Sequence, residues 1–260
     1  MKVLEDVGRG TSGFFEYAGG AAALTAEAAG LTARLRIRVN ETFAQAYRLG
    51  VQSTPIVLLT SLFTGMVISL ESANQANSYG VTDLVGGAVT YVSSRELGPM
   101  LTAVVVAGRA GAAIAAEIGS MVVTEQIEAL EALGLSPVRM LVVPRLLAML
   151  CILPLLVILA DIVSIVGGMY LAKAVAGISY GSFLDSARAF SSFPDFLKGM
   201  SKSLVFAVII VIIGCYQGFG VRGGAAGVGK ATTAAVVTSI ILIFLSNFVL
   251  SIVLFGSSAH

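Results

Sequence analysis

Five apolar runs, each about as long as a bilayer is thick, constrain this chain more than any other feature. A helix rises about 1.5 Å per residue, so about 20 apolar residues are needed to cross roughly 30 Å of hydrocarbon. Gly50–Leu70, Leu84–Gly108, Leu146–Ala172, Ser203–Val221 and Ala231–Gly256 all meet that length. Only 12% of the 260 residues are charged and 57% are hydrophobic, where a soluble domain carries roughly a quarter charged residues. The expected fold class is all-α: a polytopic membrane protein with five transmembrane helices. One domain is expected over residues 1–260, with 1–49 forming an interfacial helix region and 50–260 the transmembrane bundle.

Residues 1–50 do not read as a span, because charges interrupt every apolar run. Leu4, Val7, Thr11, Phe14, Phe15 and Ala18 recur at helical spacing, followed by Leu31, Leu35, Phe43 and Tyr47. Arg34, Arg36, Arg38 and Arg48 crowd the second half. A basic amphipathic segment beside the first span suits a helix lying in the headgroup layer. The first ten residues lack the apolar core of a cleavable signal peptide. Between spans one and two, Glu71–Gly80 is polar and reads as a turn-rich loop. Pro154 is expected to kink span three.

Five spans put the two ends on opposite sides of the membrane. Lys2, Arg9, Arg34, Arg36, Arg38, Arg48, Arg109, Arg139, Arg145, Arg222 and Lys230 fall before span one or near the loops after spans two and four. The 71–94 segment and the C-terminal tail carry no Lys or Arg, although Arg188 and Lys198 follow span three. The positive-inside rule places the N-terminus in the cytoplasm.

Several function classes drop out. A net charge of +1 offers no basic face for nucleic acid, and the single histidine, His260, leaves no His-based catalytic or zinc site. Cys151 and Cys215 lie inside apolar runs and read as small buried side chains rather than a disulfide. The loop 218–233 resembles a phosphate cradle, because Gly218, Gly220 and Gly223 fit G-x-G-x-x-G, and Gly224 with Gly229 and Lys230 nearly fits G-x-x-x-x-G-K-[ST]. The second pattern fails at Ala231, where a hydroxyl is required, and membrane spans flank the loop where an α/β domain is needed. No nucleotide site, cofactor or metal is expected in this chain.

Arg95 and Glu96 carry the sharpest signal, because a charge inside a bilayer costs several kcal/mol and normally faces a cavity or a partner. Neighbours on a helix point about 100° apart, so these two cannot easily neutralise each other. A polar collar on an outward-open cavity and an ion network joining spans both meet the cost, and the cavity is favoured. In that reading Arg95 offers a lipid phosphate two parallel hydrogen bonds. Lys202, just before span four, reaches the same zone or simply snorkels. Asp161 reads as a buried polar contact. Ala103, Ala107, Gly111 and Ala115 repeat every four residues, as do Gly108, Ala112 and Ala116, which lets helices approach closely.

Thr124–Gly134 forms a short acidic elbow before Ser136 and Pro137. Glu125, Glu128 and Glu131 present charge to solvent while Ile127, Leu130 and Leu133 pack inward, and Gly134 fits a helix C-cap. A membrane helix, a water-exposed elbow and another membrane helix in sequence suggest a handle for a soluble partner.

The chain resembles the MlaE-type permeases of ABC lipid transporters, also called YrbE permeases and found in plastid lipid importers. The resemblance runs from about Thr60 to the C-terminus. It is carried by Arg95, Glu96, Leu97, Gly98 and Pro99; by the runs 107–111 and 116–119; by Thr124–Ile127 with Ala132–Gly134; by Pro144 and Arg145; by Lys202 and Ser203; and by 227–233. It implies a homodimeric permease subunit, not an enzyme, in the bacterial inner membrane. Partner ABC ATPase subunits, which bind ATP and Mg, would dock on the elbow through Thr124, Glu125, Glu128, Glu131, Leu133 and Gly134. It also implies an MCE-domain periplasmic protein, a STAS-domain protein, and phospholipid as cargo. By position, Arg95, Glu96, Leu97 and Lys202 would line the lipid cavity, with Ile68 from span one and with Gln75 and Tyr79 at its mouth. An ion-coupled secondary transporter using Arg95, Glu96 and Asp161, a permease for sterol or another hydrophobic cargo, and a non-transporting scaffold are the competing readings.

Overall fold

The computed structural model describes residues 2–33 and 38–256, with side chains from residue 15 onward except that of Ala33. Arg34, Leu35, Arg36 and His260 lie outside the described residues, as do the side chains of Lys2, Leu4, Val7, Arg9, Thr11 and Phe14. Among the described residues there is no strand. Five helices are long and apolar enough to cross a membrane: Val39–Tyr79, Thr82–Val123, Val138–Ala176, Phe193–Phe219 and Gly224–Phe255.

Every span is longer than the apolar run that announced it. Helix α1 covers Lys2–Ala33, and α2 (Val39–Leu49) passes through a 3₁₀ turn at Val51–Ser53 into α3 (Thr54–Tyr79). The expected loop at Glu71–Gly80 is therefore helix as far as Tyr79. Polar residues do not end a helix when its apolar face continues, and Ala73 and Ala76 remain buried. The stop comes at Gly80, with φ of 69°, a left-handed conformation that glycine adopts without steric cost.

Span two is one continuous helix interrupted by two π turns. It comprises α4 (Val85–Val92), a π turn at Ser93–Leu97, α5 (Gly98–Val106), a second π turn at Ala107–Gly111 and α6 (Ala112–Val123). A third π turn, Val138–Val142, opens the helix α8 (Val143–Ala176), and Pro154 lies inside α8 without breaking it. Each of these π turns contains an arginine: Arg95, Arg109 and Arg139. A short helix α7 (Gln126–Ala132) joins α6 to α8, and α9 (Tyr180–Phe190) joins α8 to α10 (Phe193–Phe219). The last span is α11 (Gly224–Phe255).

Small residues fix how the spans meet. Ala103, Ala107, Gly111 and Ala115 are all buried, whereas Gly108, Ala112 and Ala116 are not, so only the first small-residue stripe forms a packing seam. A Cβ on Gly214 would lie 3.1 Å from the Gly111 carbonyl oxygen, and one on Gly218 3.2 Å from that of Ala115. Spans two and four thus touch almost backbone to backbone. Spans one and three do the same at Gly65, where a Cβ would lie 1.9 Å from the Ser164 carbonyl oxygen. The main core runs through Ala103, Val106, Ile114, Met149, Leu153, Phe206 and Ile210. A second cluster joins α3, α4, α8 and α9 through Ala73, Val85, Val89, Ala172 and Phe183. Sequence reading passed over α9, which is amphipathic and too short to stand out beside the spans.

Helix α1 packs at the elbow end of the bundle. Gln217 donates to the Tyr17 hydroxyl at 3.1 Å, and the Tyr17 and Tyr216 rings meet edge-on at 4.9 Å. Cys215 is fully buried, but Cys151 is exposed on the outside of its helix, so the expectation of two buried thiols fails for Cys151.

Candidate functional site

The first π turn places the charged pair. A π turn inserts one extra residue into the helix and rotates the side chains around it. At Ser93–Leu97 it directs Arg95 and Glu96 toward spans four and five. The Glu96 carboxylate meets Lys202 Nζ at 2.9 Å and accepts hydrogen bonds from Asn247 Nδ2 at 3.0 Å and Ser251 Oγ at 2.9 Å. Lys202 has no side-chain exposure. It spends its donors on Glu96, on the Arg95 carbonyl at 2.9 Å and on Ser251 Oγ at 2.8 Å. A buried ammonium is tolerated only with such complete pairing.

Arg95 has different partners on the same side. Its guanidinium lies 3.7 Å from the Phe255 ring centroid and 4.4 Å from that of Tyr91, and it donates to the Tyr91 hydroxyl. Asp195 approaches to 3.9 Å, too far for a direct hydrogen bond. Arg95 and Glu96 therefore do not neutralise each other, as their helical spacing requires: Glu96 is held by Lys202, Asn247 and Ser251, and Arg95 by Tyr91 and Phe255. The arrangement joins spans two, four and five as an ion network. Glu96 keeps 36% side-chain exposure and Arg95 13%, so the network is not sealed.

Helix α10 holds the π turn by its backbone. A Cβ on Gly199 would stand 2.0 Å from the Ser94 carbonyl oxygen, and one turn later Lys202 binds the Arg95 carbonyl. Gly199 and Asn247 went unnoticed in the sequence, because a glycine and an asparagine inside apolar helices carry no charge signal.

The other expected lining residues lie elsewhere. Leu97 borders a small gap with Ser61, Thr64, Gly98, Leu101, Ala160 and Ser164. Ile68 packs half-buried against the cluster of α3, α4 and α9. Gln75 and Tyr79 are exposed and line a groove of about 220 Å³ with Ser72, Ala76, Val81, Leu84 and Val85. Arg95, Glu96 and Lys202 thus form one site, and Gln75 with Tyr79 another. Asp161 stands apart from both. It is buried without a hydrogen-bond partner, and a Cβ on Gly98 would meet its Oδ1 at 1.8 Å.

The elbow follows the end of span two at Val123. Glu125 is the one non-glycine with positive φ among the described residues, at 58°, and it turns the chain sharply from α6 into α7. Gln126 Nε2 donates to Thr124 Oγ1 at 3.0 Å across that corner. The exit is a Schellman cap: Gly134, with φ of 72°, donates to the Glu131 carbonyl at 2.9 Å and Leu135 to that of Leu130 at 3.0 Å. Glu125, Glu128 and Glu131 are exposed, while Ile127 and Leu130 are half-buried. Leu133, expected to pack inward, is 75% exposed, because the cap turns it outward at the helix end. Beneath the elbow, a cavity of about 460 Å³ is lined by Glu27, Ile127, Glu128, Glu131, Pro137 and Phe219.

An ion cluster ties the elbow's two stems together. Arg145, with 2% side-chain exposure, binds Glu117 at 2.9 Å and the Leu141 carbonyl at 2.7 Å. Glu117 also meets Arg48 at 3.3 Å. Arg109, from the second π turn, donates to Ser53 Oγ at 2.9 Å and Gln52 Oε1 at 2.6 Å. The helices before and after the elbow are thereby linked to each other and to span one.

Comparison with known proteins agrees with this architecture. The family model described as Permease MlaE matches residues 42–253. A probable ABC transporter permease protein of Synechocystis is 46% identical over 220 residues, covering 85% of this chain and 84% of its own. A probable ABC transporter permease protein of Rickettsia typhi is 39% identical over 207 residues, covering 80% of each. The chloroplast protein trigalactosyldiacylglycerol 1 of Arabidopsis thaliana is 40% identical over 216 residues, covering 83% of this chain and 62% of its own. With five apolar helices, a capped elbow and these relatives, the chain belongs to the MlaE family of ABC transporter permeases.

Proposed function

We propose that this permease moves phospholipid between the bacterial inner membrane and a periplasmic MCE-protein route. It works as a homodimer, with its N-terminus and elbow in the cytoplasm. ABC ATPase subunits, which bind ATP and Mg, grip Thr124–Gly134, and a STAS-domain protein attends them. This chain contributes no covalent chemistry.

One relationship carries the reading. The elbow follows directly on span two, and the Arg95–Glu96–Lys202 site is built on the first π turn of that same span. Arg95 precedes Thr124 by about 40 Å of helical rise. A helix that long moves as a lever when its end is displaced. Motion of the elbow, passed on through Glu117 and Arg145, would shift the π turn against Gly199 and Lys202 and so change what the site can hold. The site itself suits an amphiphile: Arg95, with its one close acceptor in Tyr91, offers charge for a phosphate, and the lipid-length faces of α3 and α11 offer apolar surface. The chloroplast relative bears the name of a galactolipid, which also favours a lipid cargo. Leu97, Ile68, Gln75 and Tyr79 are assigned to the apolar path and its mouth.

The test is ATP-dependent phospholipid movement in proteoliposomes that contain the assembled complex. Arg95→Ala should abolish transport while leaving assembly intact, and Glu96→Ala should abolish it with a lower unfolding midpoint, because it strands the buried Lys202. Normal transport by both variants would refute the site. ATP-independent movement that responds to an ion gradient would instead support a secondary transporter, and co-purification of sterol in place of phospholipid would reassign the cargo.

A further inference from the structure

We propose that Phe255 is a displaceable plug over an anion pocket and that Lys198 is a further ligand of that pocket, whose occupant is the phosphate of a lipid headgroup. The inference rests on the proposed lipid site and adds a gate and a residue to it. Phe255 closes the last turn of α11 and is half-buried. Three cations surround its ring: Arg95 at 3.7 Å, Lys202 Nζ at 5.1 Å and Lys198 Nζ at 5.5 Å from the centroid.

The three are not equally satisfied. Lys202 has Glu96. Arg95 has five N–H donors but only the Tyr91 hydroxyl as a close acceptor, with Asp195 at 3.9 Å. Asp195 is itself engaged by the Ser192 hydroxyl at 2.7 Å. Lys198 forms no ion pair among the described residues. A guanidinium and an ammonium with unspent donors thus converge on one aromatic ring.

A ring can occupy such a place because cations are attracted to its π face. It satisfies no N–H donor, however. A phosphate oxygen accepts directed, charge-assisted hydrogen bonds from the same groups, two of them in parallel from arginine, and these are the stronger contacts. A phosphate arriving beside Arg95 therefore displaces the ring, and rotation of one side chain between staggered rotamers opens the pocket. The ring would return when the phosphate leaves, so the empty site does not expose three cations to hydrocarbon.

The test uses the purified permease–ATPase complex and two fluorescent probes, phosphatidylglycerol and diacylglycerol, which differ in the phosphate. Phe255→Ala should increase the rate of phosphatidylglycerol binding several-fold and leave diacylglycerol unchanged, with Phe255→Leu changing it in the same direction by less. Lys198→Ala should weaken phosphatidylglycerol binding several-fold, and Lys198→Arg should restore it. Competition by inorganic phosphate in Phe255→Ala identifies the anion alone as sufficient, and its absence assigns recognition to the whole lipid. Parental phosphatidylglycerol binding by both Phe255→Ala and Lys198→Ala overturns the plug, as does an equal change for both probes. Arg95→Ala separates the two proposals: if it alone loses phosphatidylglycerol, the lipid site stands without the plug, and if it binds normally the lipid site itself fails.

Discussion

Lys202 and Glu96 form a 2.9 Å ion pair in which the lysine is wholly buried and the carboxylate remains open on one side. The asymmetry decides what each substitution does. Lys202→Ala strands a carboxylate between Asn247 and Ser251, and breaking such a pair costs about 3 kcal/mol, the low end for buried pairs because Glu96 keeps partial contact with the outside. Replacing both, as Lys202→Met with Glu96→Gln, leaves no unpaired charge and should recover most of the loss. Thermal unfolding in detergent should rank the double variant well above Lys202→Ala; the reverse order would show that the pair does not couple these spans.

The clamp at the elbow end makes a graded prediction. Arg145 is buried and Arg48 is exposed, yet both bind Glu117. Arg48→Ala should cost less than about 1 kcal/mol, as exposed pairs do. Arg145→Ala should cost more, about 2 kcal/mol, because it removes a buried side chain that makes charge-assisted hydrogen bonds to Glu117 and to the Leu141 carbonyl. Equal losses of thermal stability in the two variants would contradict the clamp.

Glycine substitutions test the close approaches with an internal control. Gly199→Ala places a methyl group 2.0 Å from the Ser94 carbonyl oxygen, so α10 must move off the π turn and the Lys202 bond to Arg95 must lengthen. A loss of more than about 2 kcal/mol is expected, in the range of overpacking. Gly108→Ala meets nothing within 4 Å and should stabilise its helix by about 0.5–1 kcal/mol. Both are read from the midpoint of thermal unfolding.

Leu133 separates docking from folding. It is 75% exposed at the capped end of α7, so Leu133→Asp should leave the melting temperature of the isolated permease within about 0.5 kcal/mol of the parent. It should sharply reduce recovery of the ATPase subunits when the complex is purified. Unchanged recovery would remove Leu133 from the docking surface.

The elbow's entry carries its own strain. Glu125 holds a left-handed backbone that costs an ordinary residue on the order of 1 kcal/mol. Glu125→Gly should be neutral to slightly stabilising in the isolated chain. A drop of more than 1 kcal/mol on the same thermal scale would show that the carboxylate makes a contact outweighing the strain.

The residues of this chain, taken alone, determined how many times it crosses a membrane, where the acidic elbow falls, that Gly134 ends it, and that Arg95 and Glu96 need partners other than each other. All of these follow from short-range causes: apolar run length, the 100° step between neighbours, and glycine's access to positive φ. Only the tertiary structure decided which partners those were. Lys202 reaches Glu96 because Gly199, Gly214 and Gly218 let α10 approach span two closely at a π turn, and α11, packed beside both, brings Asn247 and Ser251 to Glu96 and Phe255 over Arg95. Neither a one-residue bulge nor a backbone-to-backbone contact leaves a periodic mark in sequence. For the same reason the polar stretch after Leu70 read as a loop although burial of Ala73 and Ala76 keeps it helical, and Leu133 read as buried although the turn of the cap swings it outward.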